Sequence, residues 1–121
     1  MDSISSEGYA TVQGIRLYYR IFGEARKGTV LCLHGGPGAT HDYMLPLADL
    51  ADFGYRVVFY DEFGCGKSEL PKNPALLTIE YGVEEVEGVR RALDLGKIHL
   101  IGSSYGGLLA IAYALKYPKK L

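Results

Sequence analysis

The stretch LIGSSYGG, residues 100–107, decides the fold prediction. An apolar segment leads into a turn built from Gly and Ser, and an apolar segment with helical periodicity follows. Residues 102–106 match the pattern G-x-S-x-G, which between a strand and a helix places a serine on a sharp turn. The helix that follows points the positive end of its dipole at this turn, where negative charge develops during acyl transfer. Ser104 is therefore a candidate nucleophile, and the alternative is an ordinary Gly-Ser turn.

The rest of the chain predicts alternating strands and helices. A hairpin is expected where residues 9–12 and 15–22 flank a Gln-Gly turn. Continuous apolar runs, typical of strands covered on both faces, occupy 29–34, 56–61 and 98–103. A first helix is expected to end near Phe53-Gly54, with Pro46 near its first turn and the preceding segment ATHDYML partly loop. A second helix is expected to span 79–95 after an N-cap at Thr78. A third is expected to span 105–117, with an apolar side formed by Leu108, Leu109, Ile111, Ala112 and Leu115. This order predicts one α/β domain over residues 1–121, with an N-terminal antiparallel hairpin, a mostly parallel sheet and helices on both faces.

Composition and charge narrow the function classes. The formal net charge is −1, which offers neither a nucleic acid nor an anionic membrane the basic surface that it needs. No apolar run is long enough for a transmembrane helix, and the N-terminus lacks the features of a signal peptide, so a cytoplasmic location is expected. Cys32 is expected as a buried thiol. The histidines and cysteines share no ligand spacing, so neither a metal nor a cofactor is predicted.

A second glycine-rich loop follows the first covered strand, as His34-Gly35-Gly36-Pro37-Gly38. An acyl-transfer enzyme needs two backbone N–H groups directed at one oxyanion. In a fold with a serine turn of this kind, one comes from the residue after the nucleophile, Tyr105, and the other from the loop after this strand. A flexible turn is the alternative, but Pro37 stiffens the loop.

The segments HGGPG at 34–38, YDEFGCGKS at 60–68 and GSSYGG at 102–107 together resemble the proline iminopeptidase family of α/β-hydrolases. Within that family the chain is most similar to the archaeal tricorn-interacting aminopeptidases. The resemblance implies release of an N-terminal residue, often proline, from short peptides, with a sheet order of 1-2-4-3-5.

The same resemblance assigns roles to individual residues. It implies Ser104 as nucleophile, Gly36 and Tyr105 as oxyanion donors, and Gly35, Gly36 and Pro37 as the substrate-binding loop. Glu62 and Phe63 depart from the commonest family form, D-Q-R-G-x-G-x-S, and Asp61 is expected to support the neighbouring loops structurally.

The remaining two members of a catalytic triad have no candidate in the expected place. In this fold the acid and the histidine follow the serine, whereas all 14 acidic residues and all 3 histidines of this chain precede Ser104. His34 lies at the right sheet edge but is expected to hold the oxyanion loop instead of acting as the base. We therefore expect the chain to be the N-terminal part of a longer hydrolase, without its cap domain and C-terminal half, and to be inactive alone. Strand 98–103 would then be an open edge through which the chain self-associates.

Two alternatives to an aminopeptidase stay open at this point. One is another serine hydrolase on the same fold, such as an esterase or lactonase. The other is a non-catalytic module that pairs through the open edge.

Overall fold

A computed structural model of the chain describes residues 6–35, 40–69 and 78–121. The described part begins with an antiparallel hairpin of β1 (Ser6–Val12) and β2 (Ile15–Phe22). Its two turn residues, Gln13 and Gly14, have φ values of 51° and 81°. Positive φ at both central residues matches the right-handed twist of the strands, so the hairpin closes in two residues as predicted.

Three further strands extend this hairpin into one five-stranded sheet. They are β3 (Gly28–Leu33), β4 (Tyr55–Tyr60) and β5 (His99–Gly102). The order is β1-β2-β4-β3-β5, in which β2 and β4 are antiparallel while β3 runs parallel to both β4 and β5. The predicted mostly parallel core and the predicted strand order are confirmed, and strand bounds shift by one to three residues.

Both faces of the sheet are covered, because successive residues of the central strands point to opposite sides. Leu31 and Leu33 face a cluster completed by α1 (Ile79–Ala92) and α2 (Tyr105–Lys116). Val30 and Cys32 face a second cluster beneath the 3-10 helix His41–Phe53. Burial raises the pKa of the Cys32 thiol to about 12, so it behaves as the apolar core residue that was predicted.

The 3-10 helix starts earlier than predicted. Thr40 is its N-cap and accepts a hydrogen bond from the Asp42 N–H at 3.2 Å, which places Pro46 inside the helix and not near its first turn. Gly54, with a φ of 94°, ends it where predicted. Thr40 is a residue type typical of N-caps, but Pro46, which is favoured in the first turn of a helix, led to a prediction that the helix starts later.

Helix α1 starts as predicted and ends three residues early. The Thr78 hydroxyl accepts the Tyr81 N–H at 3.1 Å, and the last helical residue is Ala92. A Cβ on Gly88 would lie 2.4 Å from Val12 Cγ1, so this glycine, unfavourable for the helix alone, lets α1 approach the hairpin.

Helix α2 exposes part of the side that was predicted to be buried. Leu109 and Tyr113 are buried, whereas Leu108, Ile111 and Leu115 are 57%, 63% and 81% exposed. The apolar residues of α2 extend around more of the helix than the sheet covers. A groove of about 380 Å³ runs along β5, and from α2 it is lined by Ala110, Ile111 and Ala114. Within the described ranges, β5 pairs with β3 alone.

No helix in the described ranges combines the length and the apolar character required to cross a bilayer.

Candidate active site

Ser104 lies at the junction of β5 and α2 in a strained backbone conformation. Its φ and ψ are 57° and −119°, in a region that residues with a side chain rarely occupy. The residue is exposed, and its side chain makes no capping hydrogen bond to α2. Ser104 thus presents its hydroxyl, which makes no capping hydrogen bond to α2, at the N-terminus of a twelve-residue helix, where the helix dipole favours negative charge.

Close packing explains both glycines of the motif. A Cβ on Gly102 would lie 2.2 Å from the Gly106 carbonyl oxygen, and a Cβ on Gly106 would lie 2.1 Å from the Leu33 carbonyl oxygen. The Ser103 N–H also donates to the Leu33 carbonyl at 3.1 Å. The first turn of α2 is therefore held directly against the end of β3, and this contact fixes the sharp turn at Ser104.

The end of β3 brings Gly35 against Ser104, the candidate nucleophile. A Cβ on Gly35 would lie 3.1 Å from Ser104 Cβ, so a larger residue would crowd the serine. The Gly35 N–H donates to the Tyr43 hydroxyl at 2.6 Å and is thereby occupied. Gly36 and Pro37, the other members of the predicted substrate loop, lie outside the described residues.

Tyr105, the second predicted oxyanion donor, is the first residue of α2. Backbone N–H groups in the first turn of a helix have no intrahelical acceptor, so this position suits the predicted role. Its use as an oxyanion donor stays a prediction.

His34 is a structural residue whose tautomer is fixed by its partners. Its Nε2 accepts the backbone N–H of Glu62 at 2.9 Å, and because an amide can only donate, this nitrogen carries no proton. Nδ1–H then donates to the Gly35 carbonyl at 2.5 Å. Burial lowers the pKa of His34, against the opposing effect of the bond to Gly35. With both nitrogens engaged, His34 holds the loop as predicted and has no nitrogen for Ser104.

Asp61 organises the neighbouring loop. Its carboxylate accepts the His41 N–H at 3.0 Å, His41 Nδ1–H at 2.7 Å and the Lys67 N–H at 3.2 Å. Burial raises its pKa, but these three hydrogen bonds outweigh that effect and leave the pKa below the ordinary value. The structural role predicted for Asp61 agrees with these contacts.

The His41–Asp61 pair lies at the end of β4, on the far side of β3 from β5 and Ser104. It joins the loops after β3 and β4, so it serves as a clamp. His99, the third histidine, is exposed and packs its ring against Tyr55. Within the described ranges, no group of three or more His, Cys, Asp or Glu residues could hold a metal ion.

A buried group of acids next to this site was missed by the sequence analysis. We call Tyr60, Glu62 and Glu85 the buried acid cluster; these residues are 0%, 3% and 0% exposed. Glu85 Oε1 accepts the Phe63 N–H at 3.2 Å. Burial raises the pKa of Glu62 to about 8 and that of Glu85 well above its ordinary value. Glutamate in an amphipathic helix ordinarily indicates a solvated face, so no local pattern predicts the burial of Glu85.

The chain is similar in sequence to a known family and to individual curated proteins. A family model described as the alpha/beta hydrolase fold matches residues 28–121. The chain is 50% identical over 117 residues to a proline iminopeptidase of Saccharolobus solfataricus, covering 95% of this chain and 38% of that protein. It is 51% identical to a proline iminopeptidase of Thermoplasma volcanium, covering 95% and 39%. The chain thus spans about two-fifths of the length of these curated relatives.

Among solved structures, the chain is similar to the epoxide hydrolase VrEH1 of Vigna radiata. The TM-score is 0.86 at 27% sequence identity, over 96% of this chain and 37% of that one. A shared fold at this level accompanies enzymes of different chemistry, so the fold alone does not select a substrate.

Proposed function

The chain belongs to the α/β-hydrolase fold family, and from this premise we propose that it carries the nucleophile of a serine aminopeptidase of the proline iminopeptidase type. The observation that carries the proposal is the turn at Ser104. It combines positive φ, exposure and a helix N-terminus, and two glycines whose contacts admit no side chain flank it. The identity of 50% to proline iminopeptidases supports N-terminal residues of short peptides, proline among them, as the substrate.

In the proposed reaction, Ser104 Oγ attacks the carbonyl carbon of the N-terminal residue. The hydroxyl proton passes to a general base, the peptide C–N bond breaks, and the departing amine takes up the proton. Water then cleaves the resulting ester and restores the serine. In this proposal the N–H groups of Gly36 and Tyr105 bind the tetrahedral oxyanion, and Gly35, Gly36 and Pro37 form the substrate-binding loop, as the family resemblance implies.

We propose that the base and the acid that orients it lie in the part of the fold that this chain, which covers 38% of a curated relative, does not span. Every acidic residue and every histidine precedes Ser104, and both ring nitrogens of His34 are engaged. A serine hydroxyl without a base is a poor nucleophile, and removal of triad members costs about 10⁴ to 10⁶ in rate. The chain on its own is therefore expected to acylate very slowly.

A chimera tests the proposal. This chain replaces the matching segment of the Saccharolobus solfataricus relative, and the chimera is assayed with prolyl and other aminoacyl arylamides and with short acyl esters. We expect release of the amine, labelling by a fluorophosphonate, and loss of both in Ser104→Ala. Preference for the esters would instead favour an esterase or lactonase. A folded chimera without labelling would favour a non-catalytic module.

The proposal extends to partners and location. A second copy of this chain is the expected occupant of the β5 edge, because an edge strand can pair with its own copy and a net charge of −1 opposes association only weakly. Ile111, which is 63% exposed, lines the groove along that edge and would be covered by the copy. A cytoplasmic location is supported by Cys32, a buried thiol whose pKa burial raises to about 12.

A further inference from the structure

The buried acid cluster lies against the turn that the proposed function uses as its oxyanion loop. We propose that Glu62 and Glu85 are positioning residues that hold the His34–Gly35 turn against Ser104 while they are uncharged, and that the turn loosens when Glu62 loses its proton in alkaline solution. The inference rests on the proposed function for the catalytic meaning of the turn. The positioning itself is a property of the described chain.

A continuous series of contacts links α1 to the nucleophile. Glu85 Oε1 on α1 accepts the Phe63 N–H, which fixes the start of the loop after β4. The preceding residue, Glu62, donates its backbone N–H to His34 Nε2. His34 in turn donates from Nδ1 to the Gly35 carbonyl, and Gly35 abuts Ser104. Each link is short, and the side chains of Glu85 and His34 are fully buried, so displacement of the first is transmitted to the last.

The surroundings of the two carboxyl groups favour their neutral forms. Glu62 Oε2 and Glu85 Oε2 are buried and have no hydrogen-bond partner among the described residues. The titratable groups that face the pair come from every packed element, and they are His34, Tyr60, Asp61, Tyr81 and Tyr105. Within the described chain none of these groups is a lysine or arginine, and Asp61 adds a negative charge. An ionised carboxylate here would be buried without a counter-ion, a state that proteins avoid.

Ionisation of Glu62 would act directly on the turn. Its Oε2 lies 3.8 Å from His34 Nδ1, the atom whose proton is bound to the Gly35 carbonyl. A carboxylate at that distance competes for the same proton and draws water into the cluster. Either effect weakens the bond to Gly35 and lets the turn move away from Ser104. Burial raises the pKa of the Glu62 carboxyl to about 8, which sets the pH range in which this change is expected.

The test follows the turn in the ¹⁵N-labelled 121-residue chain by NMR between pH 5 and 10. The Gly35 amide and the His34 ring nitrogens are expected to shift together with a midpoint near pH 8. Glu62→Gln keeps the shape of the side chain and removes its charge, so the pH-dependent shifts of the Gly35 and His34 signals should be absent in this variant. Glu80→Gln, an exposed carboxyl on the same helix, is the matched control and should leave the shift unchanged.

Two outcomes would overturn the proposal. One is a native chain in which neither signal changes up to pH 10, and the other is a change that persists in Glu62→Gln. If Glu62→Gln does not fold, the ¹³C carboxyl shifts of the native chain decide, because a protonated Glu62 at pH 6 is required. These readouts need no turnover, so an inactive chimera would contradict the proposed function and leave the positioning result standing.

The chimera adds a readout that a purely structural role would not move. Its kcat for prolyl arylamide is expected to fall several-fold above pH 8 while KM changes little, and Glu62→Gln should remove that fall. An unchanged alkaline profile in Glu62→Gln would contradict the link to catalysis.

Discussion

Ser104 offers a direct measurement of the backbone strain at the candidate nucleophile. We expect Ser104→Gly to be more stable than Ser104→Ala, although glycine ordinarily lowers stability relative to alanine. The reason is the φ of 57°, which glycine adopts freely and alanine does not. The side chain is exposed and makes no capping hydrogen bond, so little else changes between the two variants.

The magnitude follows from two opposing contributions. A residue with a side chain held in a sparsely populated φ/ψ region costs about 1–3 kcal/mol. Glycine lowers the free energy of unfolding by about 0.5–1 kcal/mol relative to alanine, because the unfolded chain gains conformational entropy. With about 2 and about 0.75 kcal/mol as the middles of these two ranges, Ser104→Gly should exceed Ser104→Ala in free energy of unfolding by about 1 kcal/mol. Ser104→Ala should stay within about 0.5 kcal/mol of the native chain.

Urea unfolding followed by circular dichroism measures this difference. With a slope of about 1–3 kcal/mol per molar urea, the midpoints of the two variants should differ by roughly 0.5 M. Ser103 is the matched control, since it precedes the strained residue and has no positive φ. At that position glycine should be the less stable substitution. Equal midpoints for Ser104→Gly and Ser104→Ala, or a lower one for glycine, would refute the strain argument.

Three further predictions rest on separate contacts. Gly106→Ala should lower the free energy of unfolding, measured by thermal unfolding, by about 2–4 kcal/mol, because its Cβ would lie 2.1 Å from a carbonyl oxygen. In the control Gly107→Ala the nearest carbonyl oxygen would lie 3.5 Å from the Cβ, and the loss should be less than about 1 kcal/mol. Equal losses in the two variants would contradict the packing account. Ile111→Glu should abolish self-association in sedimentation velocity and Phe53→Glu, equally exposed at 63%, should not; a monomeric native chain would exclude the edge pairing. Asp61→Asn should lower the free energy of unfolding by about 2–3 kcal/mol at pH 7. Because the pKa of Asp61 is lowered on folding, the difference between variant and native chain should vanish as the pH falls through that pKa. Urea unfolding at pH 7 and at pH 3 checks that the difference is smaller at the lower pH.

The sequence predicted those features that depend on local pattern. The Gln13-Gly14 turn, the Thr78 cap and the G-x-S-x-G turn each combine a residue preference with its flanking periodicity, and each forms as predicted. Continuous apolar runs identified the covered strands because both faces of this sheet carry helices.

Features that depend on tertiary context were missed. The apolar side of α2 was predicted to be buried, but Ile111 and Leu115 are exposed. A periodic pattern of apolar residues does not indicate how much of a helix its neighbours cover. Glu85 and Glu87 face inward because the loop after β4 and Tyr113 of α2 supply partners that lie far away in sequence. A carboxylate on a helix gives no local sign of such a partner, so neither burial was predictable.

The backbone geometry of Ser104 and the chemical activation proposed for its hydroxyl have separate origins. Ser104 is held in its strained conformation by contacts among β3, β5 and α2, through the Leu33 carbonyl, Gly102 and Gly106. None of these contacts involves an acid or a base, so the strain does not depend on a completed triad. A proton acceptor supplied from outside these residues would therefore meet a serine already in position. It follows that completing the site should raise the reactivity of Ser104 and leave its backbone conformation unchanged.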